Sequence, residues 1–193
     1  MNKGEKTKQK ILNSALLLFS TKGYEETSLN DIASNVEIKA PSIYAHYSSK
    51  EDLFEKVAEY VMADYIEFIK SRVPHLNSLP TKEKFYDLLV ELNKYFYKTD
   101  FGLFLKKYGM IPPEKFKELL NEKYSESENV IKEILYKILD EDTTENFIDK
   151  QTIVTSFLCI LDGTLFYLIN FSYEEYERRL EQTWKVFWNG ILQ

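Results

Sequence analysis

The chain has 193 residues, of which 44% are hydrophobic and 29% charged, a composition typical of a globular protein with a sizeable core and unlike that of a disordered chain. Six glycines and five prolines are too few for a turn-rich β architecture, and a single cysteine excludes a disulfide framework. The net charge is −6, but residues 1–50 hold seven lysines against five acidic residues, a local charge of +2 that leaves −8 for the remainder.

The beginning of the chain predicts an amphipathic helix. Apolar residues at helical spacing, among them Ile11 and Phe19, favour a helix over residues 7–22. Gly23 follows directly and is suited to end this helix in the left-handed conformation. The polar start shows no apolar leader, which together with the lone cysteine predicts a cytoplasmic protein.

Two shorter helices are predicted next. Thr27 or Ser28 can cap a second helix that ends near Asn35, and a third is expected over residues 39–47. Only about three residues separate them. Two short helices joined by such a tight turn form a helix-turn-helix, the arrangement that places its second helix in the major groove of DNA.

The outward residues of this motif are suited to DNA. Lys39 can donate to a guanine edge, alanine and proline side chains can contact thymine methyl groups, and Tyr44 and His46 can reach phosphates. The predicted DNA contacts are Thr27, Ser28, Lys39, Ala40, Pro41, Ser42, Tyr44, His46 and Lys50. The alternative is that they are ordinary surface residues, or that the head binds another protein.

The spacing of this segment is similar to that of a known family. Residues 23–24, 27–29, 31–33, 40–47 and 50–54 resemble the DNA-binding head of the TetR family of transcriptional regulators. The resemblance implies a homodimeric repressor that binds a palindromic operator and is released by a small effector. It also implies DNA contacts at the positions named above. Where the family usually has a turn glycine, this chain has Glu37.

The four lysines of the N-terminal arm allow two interpretations. Lys3, Lys6, Lys8 and Lys10 can follow phosphates or enter a minor groove. The other interpretation, which we prefer from the sequence, is a solvated and disordered tail.

Beyond residue 50 the apolar periodicity stays helical. A long helix is followed by helices near residues 81–98, 100–109, 113–140, 150–171 and 173–191, with a polar linker over residues 140–146. The chain is therefore predicted to be all-α, with about nine helices. A three-helix helix-turn-helix head occupies residues 1–50, and a C-terminal helical ligand-binding and dimerisation bundle occupies residues 51–193.

The last two predicted helices are apolar on more than one face, which indicates a second partner. The predicted dimer interface consists of Phe157, Leu161, Gly163, Leu165, Trp184, Phe187 and Trp188. The alternative is that these helices fill a monomer core.

Residues 152–172 are also long and apolar enough to span a bilayer, but Asp162 and several polar residues interrupt them, so a soluble buried helix without membrane contact is preferred.

The middle helices are rich in aromatic residues and predict an effector pocket for an apolar or aromatic small molecule. The predicted lining is Tyr65, Tyr86, Phe96, Phe101, Phe104, Tyr108 and Phe166, with plain core packing as the alternative.

Other classes of function are less well supported by the residues. Two histidines and one cysteine without metal-ligand spacing, and the lack of a nucleophile motif or glycine-rich phosphate loop, predict no metal, no cofactor and no enzymatic activity. The remaining alternatives are an architectural DNA-binding protein of the same fold without an effector, and a helical protein–protein adaptor.

Overall fold

The computed structural model describes residues 2–109, 111–143 and 147–192, and within them it contains eight α-helices, two short 3-10 helices and no strand. The α-helices are α1 (Lys3–Thr21), α2 (Leu29–Asn35), α3 (Lys50–Leu76), α4 (Thr81–Lys98), α5 (Asp100–Tyr108), α6 (Lys117–Glu141), α7 (Lys150–Asn170) and α8 (Tyr173–Ile191). The 3-10 helices are Ala40–Ser42 and Glu114–Phe116. The all-α prediction is confirmed. Of the predicted linker over residues 140–146, the last three residues lie outside the described part.

The chain divides into two compact units. The first contains residues 1–65 and 99–125, and the second contains residues 66–98 and 126–193. The unit that holds the predicted head therefore also holds the beginning of α3, all of α5 and the beginning of α6.

An aromatic cluster forms the core of the first unit. Phe54 of α3 is fully buried, and its ring stacks on Phe116 with centroids 4.2 Å apart. The rings that surround Phe54 belong to Phe19, Tyr24, Phe104, Tyr108 and Phe116. A head of about 50 residues buries too little apolar surface to be stable alone, and α5 and the Glu114–Phe116 turn supply the missing part.

Hydrogen bonds join α5 to the end of α1 in the same unit. The hydroxyl of Tyr108 donates to the carbonyl of Phe19 at 2.9 Å, and Lys107 Nζ donates to the carbonyl of Thr21 at 3.1 Å. Carbonyls in the last turn of a helix have no partner within the helix, so α5 satisfies two of them.

From Lys3 onward the lysine-rich arm is helical and forms the beginning of α1, which corrects our preference for a disordered tail. Asn2 caps the helix: its side chain accepts from the amide of Glu5 at 2.9 Å, and the Glu5 carboxylate accepts from the Asn2 amide at 2.8 Å. This capping box starts the helix at Lys3, four residues earlier than predicted from apolar spacing alone.

The second unit is organised around α4, α7 and α8. Phe85 of α4 and Phe157 of α7 are fully buried and meet edge to face, and Phe85 also meets Trp188 of α8. At the end of α3, Arg72 pairs with Asp87 of α4 at 3.1 Å.

Helix α7 has an unusual distribution of apolar surface. The segment Lys150–Leu168 has a mean hydropathy of 1.4 and is, in the described residues, the one helix long and apolar enough to cross a membrane. One face packs on α4 and α8, as the core helix of a soluble protein does, yet only 33% of the segment is buried in the protomer. The sequence predicted that α7 is buried on most sides. In a single chain, however, a large part of its apolar surface remains exposed.

Candidate nucleic-acid interface

Helix α2 begins with a reciprocal cap. The Ser28 hydroxyl accepts from the Asp31 amide at 3.1 Å, and the Asp31 carboxylate accepts from the Ser28 amide at 2.9 Å. These bonds to Ser28, with Lys22 nearby, lower the pKa of Asp31. Ser28 lies at the surface as predicted, and it is the cap of α2 rather than Thr27.

Thr27 is oriented differently from our expectation. Its side chain is only 1% exposed, and its hydroxyl donates to the carbonyl of Gly23 at 2.7 Å. Gly23 itself has φ +107°, the left-handed conformation predicted for the end of α1. Because its hydroxyl faces inward, Thr27 holds the turn after α1, and we leave it out of the proposed DNA contacts.

The turn after α2 uses a left-handed residue that is not glycine. Glu37 has φ +59°, its amide donates to the carbonyl of Ser34 at 3.2 Å, and the amide of Ile38 donates to the carbonyl of Ala33 at 3.0 Å. This pair of bonds is the Schellman motif, whose left-handed position usually holds glycine. The turn is thus formed in the standard geometry, with the strain of a side chain at a left-handed position.

We expect Glu37→Gly to raise the free energy of unfolding by about 0.5–1 kcal/mol, because glycine adopts this conformation without steric cost. Urea denaturation followed by circular dichroism measures the change. Glu37→Ala is the matched control, since it removes the carboxylate but keeps the Cβ, and it should bring no such gain. Equal stabilisation by both variants would show that charge, and not backbone strain, is responsible.

The segment expected to enter DNA is wound more tightly than predicted. An α-helix was expected over residues 39–47, but the structure has the 3-10 helix Ala40–Ser42 followed by turns through His46. The amide of Ser42 donates to the Lys39 carbonyl at 2.8 Å, and the amide of His46 to the Ile43 carbonyl at 2.8 Å. Both are bonds between residues three apart, which are common in short helical pieces.

Two buried residues attach this segment to the head. Ile43 is fully buried, and Tyr47 is nearly so. The Tyr47 hydroxyl donates to the carbonyl of Lys8 in α1 at 3.2 Å, and Lys8 Nζ lies 5.8 Å from the centre of the Tyr47 ring. The lysine-rich first turns of α1 are thereby held beside the segment.

The opposite face of the segment is open to solvent. Tyr44 is 59% exposed, so its ring and its hydroxyl are both accessible to a partner. The exposed members of the predicted set here are Lys39, Pro41, Ser42 and Tyr44, with Ala45 beside them, while Ala40 and His46 are half-buried. We call residues 39–46 the recognition segment.

Lys50 is held at the other end of the recognition segment. Its Nζ lies 4.3 Å from the centre of the Tyr24 ring and 3.4 Å from the carbonyl of Glu25. The Tyr24 hydroxyl donates to Glu51 at 3.0 Å, and Lys115 pairs with the same carboxylate at 2.9 Å. The hydrogen bond from Lys115, followed by those from the Glu51 amide and Tyr24, lowers the pKa of Glu51 to about 2. Lys50 is therefore positioned by an ordered cluster, with its charge near the surface.

The residues predicted to line an effector pocket are divided between the two units. Tyr65, Phe101, Phe104 and Tyr108 belong to the first unit, and Tyr86, Phe96 and Phe166 to the second. Phe104 and Tyr108 pack in the cluster around Phe54, which is the core alternative considered above. Phe101 meets Tyr60, Tyr86 meets Trp184, and Phe166 is largely exposed. The pocket itself remains a prediction.

The predicted interface residues on α7 and α8 also separate into two groups. Phe157, Leu161, Trp184, Phe187 and Trp188 are buried within the protomer, so at these positions the monomer-core alternative applies. Gly163 is exposed and Leu165 half-buried, which leaves both accessible.

An open apolar groove lies between α7 and α8 on their outer side. It has a volume of about 720 Å³ and is lined by Ile148, Thr152, Thr155, Ser156, Cys159, Ile160, Gln182, Thr183, Val186, Phe187, Gly190 and Ile191. We call this surface the α7–α8 face. Of these residues only Phe187 was in the predicted interface. The others were missed from the sequence because many are small, although the spacing of Thr152, Thr155, Ser156 and Cys159 along one side of α7 was visible.

Comparisons with known proteins agree with this geometry. The family model described as bacterial regulatory proteins, tetR family, matches residues 11–57, which include the second half of α1, all of α2 and the recognition segment. Over 170 residues the chain is 31% identical to the biofilm operon icaADBC HTH-type negative transcriptional regulator IcaR of Staphylococcus epidermidis, covering 86% of this chain and 85% of that protein. The chain belongs to the TetR family. The resemblance seen in residues 23–54 is thus confirmed, and the protein is a helix-turn-helix transcriptional regulator.

Solved structures of transcriptional regulators extend the likeness to the whole fold. A putative TetR-family transcriptional regulator from Mesorhizobium loti superposes with a TM-score of 0.78 at 16% identity, covering 100% of both chains. The transcriptional regulator FadR from Bacillus subtilis, in complex with stearoyl-CoA, superposes with a TM-score of 0.71 at 15% identity, covering 95% of this chain and 98% of that one. At such identities the likeness shows the shared fold.

Proposed function

We propose that this regulator is a cytoplasmic homodimeric repressor that binds a palindromic DNA operator through the recognition segment and is released by a small apolar or aromatic effector. Residues 1–50 bind DNA, and residues 51–193 provide effector binding and dimerisation. The negative regulator IcaR, similar over most of both chains, supports repression rather than activation. No step of this function calls for catalysis or a cofactor.

The observation that carries the DNA-binding proposal is the two-sided recognition segment. Ile43 and Tyr47 anchor it from within, while Lys39, Ser42 and Tyr44 project outward. A protruding helical segment with donors and apolar groups on its free side matches what a major groove offers. Ser28 and Lys50 flank the segment and are suited to phosphate contacts.

The α7–α8 face supports the dimer. One head reads few base pairs, so useful affinity needs two heads about one helical turn apart, roughly 34–36 Å. An apolar face is costly to leave in water, and the same face on a second copy covers it by twofold symmetry. The small residues Cys159, which lies in this face, and Gly163, which is exposed one turn further along α7, allow the helices of two copies to approach closely.

Selection of bound duplexes from a random pool tests the function. We expect a palindrome whose half-sites lie about one helical turn apart, and binding that weakens steeply with salt because lysines displace counterions from phosphates. A pool that shows no enrichment would argue for an architectural protein or an adaptor.

With the selected duplex, Lys39→Ala should lower affinity by about 1–3 kcal/mol for each half-site and relax selectivity at one base pair. Lys70→Ala is the matched control, since it removes an exposed lysine from α3 outside the recognition segment and should leave affinity unchanged. Fluorescence anisotropy at fixed salt measures both. Equal losses in the two variants would mean that general charge, and not the recognition segment, determines binding.

A further inference from the structure

The connection between α5 and α6 packs against the head within the first unit. Phe116, at the end of the Glu114–Phe116 turn, is 2% exposed, and its ring stacks on Phe54 and meets the Tyr24 ring edge to face with centroids 4.9 Å apart. Lys115 directly precedes Phe116, and more than half of its side chain is exposed. The packing of Phe116 therefore holds the Lys115 ammonium group at the surface of the head.

One carboxylate oxygen joins Lys115 to Tyr24. Glu51 Oε1 accepts from Lys115 Nζ at 2.9 Å and from the Tyr24 hydroxyl at 3.0 Å. Burial and the hydrogen bond to Glu51 raise the pKa of Tyr24, so the phenol stays protonated and remains a donor. The Tyr24 ring is thus fixed by the packing of Phe116 on one side and by the Glu51 carboxylate at its hydroxyl.

The Tyr24 ring in turn holds the ammonium group of Lys50. Lys50 Nζ lies 4.3 Å from the centre of the ring, within the range of a cation–π contact, and 3.4 Å from the Glu25 carbonyl. An ammonium group carries three donors, and in the described part of the chain only this carbonyl accepts from it, so donors remain for a phosphate.

Lys115 acts on Lys50 in two ways, both through Glu51. It fixes the carboxylate that orients Tyr24, and it balances a negative charge that would otherwise attract Lys50 and repel a phosphate. An ion pair as exposed as this one contributes little to the free energy of unfolding. Its effect on the orientation of Lys50 can therefore be measured separately from folding.

We propose that Lys115 is a positioning residue for DNA binding. Acting through Glu51 and Tyr24, it keeps the ammonium group of Lys50 available to an operator phosphate and makes no DNA contact of its own. The inference rests on the proposed function as an operator-binding regulator. It extends the determinants of DNA binding from residues 1–50 to the connection between α5 and α6.

A cycle of single and double substitutions tests the proposal with the selected duplex. Lys115→Gln should weaken binding about three- to tenfold for the dimer, since each copy loses the effect of one exposed ion pair. In a Glu51→Gln background the same substitution should weaken binding no more than a remote lysine does, because its partner is already absent. An unchanged affinity of Lys115→Gln, or an equal loss in both backgrounds, would overturn the proposal.

The salt dependence of binding shows whether Lys50 is the group affected. The slope of log affinity against log salt concentration should fall by up to about two in Lys115→Gln, as in Lys50→Gln, because each copy loses one phosphate contact. A slope that stays at the value of the unchanged chain would contradict a role through Lys50.

Lys117→Gln and Lys115→Arg are the controls. Lys117 is an exposed lysine two residues further along, paired with Glu114 at 3.5 Å, so its substitution changes the charge equally and should leave affinity and slope nearly unchanged. Lys115→Arg should bind as the unchanged chain does, because a guanidinium also pairs with a carboxylate. Equal losses in Lys117→Gln and Lys115→Gln would assign the effect to general charge and overturn the proposal.

The position of Lys50 can also be observed without DNA. The end of its side chain lies over the Tyr24 ring, so in nuclear magnetic resonance spectra of isotope-labelled lysine its terminal methylene protons should be shifted upfield by the ring current. Lys50→Gln assigns this signal. The shift should shrink in Lys115→Gln and persist in Lys117→Gln, and an undiminished shift in Lys115→Gln would overturn the positioning role.

Thermal denaturation separates positioning from a structural role. The Tm of Lys115→Gln should stay close to that of Lys117→Gln, and a much lower Tm would make Lys115 a structural residue and overturn the proposal. If the unchanged chain binds no duplex, the proposed function fails, whereas the spectra still decide whether Lys115 positions Lys50.

Discussion

Replacing Phe54 by alanine should lower the free energy of unfolding of the first unit by about 3–5 kcal/mol, the cost of a large cavity in a packed core. Phe54 is fully buried, with five aromatic rings around it, so the surrounding side chains cannot collapse into the space without breaking their own contacts. Since domains are stable by only about 5–15 kcal/mol, this loss should leave a larger share of the head unfolded at 37 °C and lower operator binding accordingly.

Hydrogen exchange of the amides in α1 and α2, together with urea denaturation, measures the effect of Phe54→Ala on the unit concerned. Leu103→Ala is the control, because Leu103 is an apolar residue of α5 that lies largely at the surface. It should cost less than about 1 kcal/mol. If both variants lost the same stability, the aromatic cluster would not be the core that holds the head.

The second large effect is expected from Val186→Glu. Val186 is 75% exposed in the protomer and lines the α7–α8 face, so the substitution should not disturb folding of the chain. In the proposed dimer it places an unpaired carboxylate in an apolar contact, at a cost of about 3–5 kcal/mol per copy, and twofold symmetry applies that cost twice. We expect a monomer that binds the palindrome no better than a single half-site.

Analytical ultracentrifugation gives the oligomeric state, and titrations with full and half operators give the affinities. Asn189→Glu changes the charge by the same amount on the same helix, at an exposed position that does not line the groove. It should remain dimeric and bind the full operator. A dimeric Val186→Glu protein would refute the assignment of the α7–α8 face, while loss of the dimer in both variants would point to net charge as the cause.

The elements whose signals are local in sequence were predicted well. Gly23 ends α1 with a positive φ, Ser28 begins α2, and α4, α7 and α8 lie within a residue of their expected bounds. Each of these depends on a cap, a stop or a period that a few neighbouring residues create by themselves.

The recognition segment shows where local signals run out. Residues 39–47 have enough helical character to predict a helix. In so short a segment, however, an α-helical turn and a 3-10 turn have similar free energies. The tertiary anchors Ile43 and Tyr47 decide between them. Glu37 was recognised as a departure from glycine, yet only the backbone shows that the left-handed turn forms regardless.

The amino-acid sequence by itself determined the helical class, the order of the helices and the position of the DNA-binding motif, because periodicity, caps and motif spacing act between neighbours. Only the tertiary structure decided which apolar residues meet. It placed Phe104 and Tyr108 in the core of the head unit, buried Trp184 and Trp188 within the protomer, and left Val186 open. The physical reason is that a pattern shows that a residue has an apolar side to cover, whereas the partner that covers it comes from a distant part of the chain.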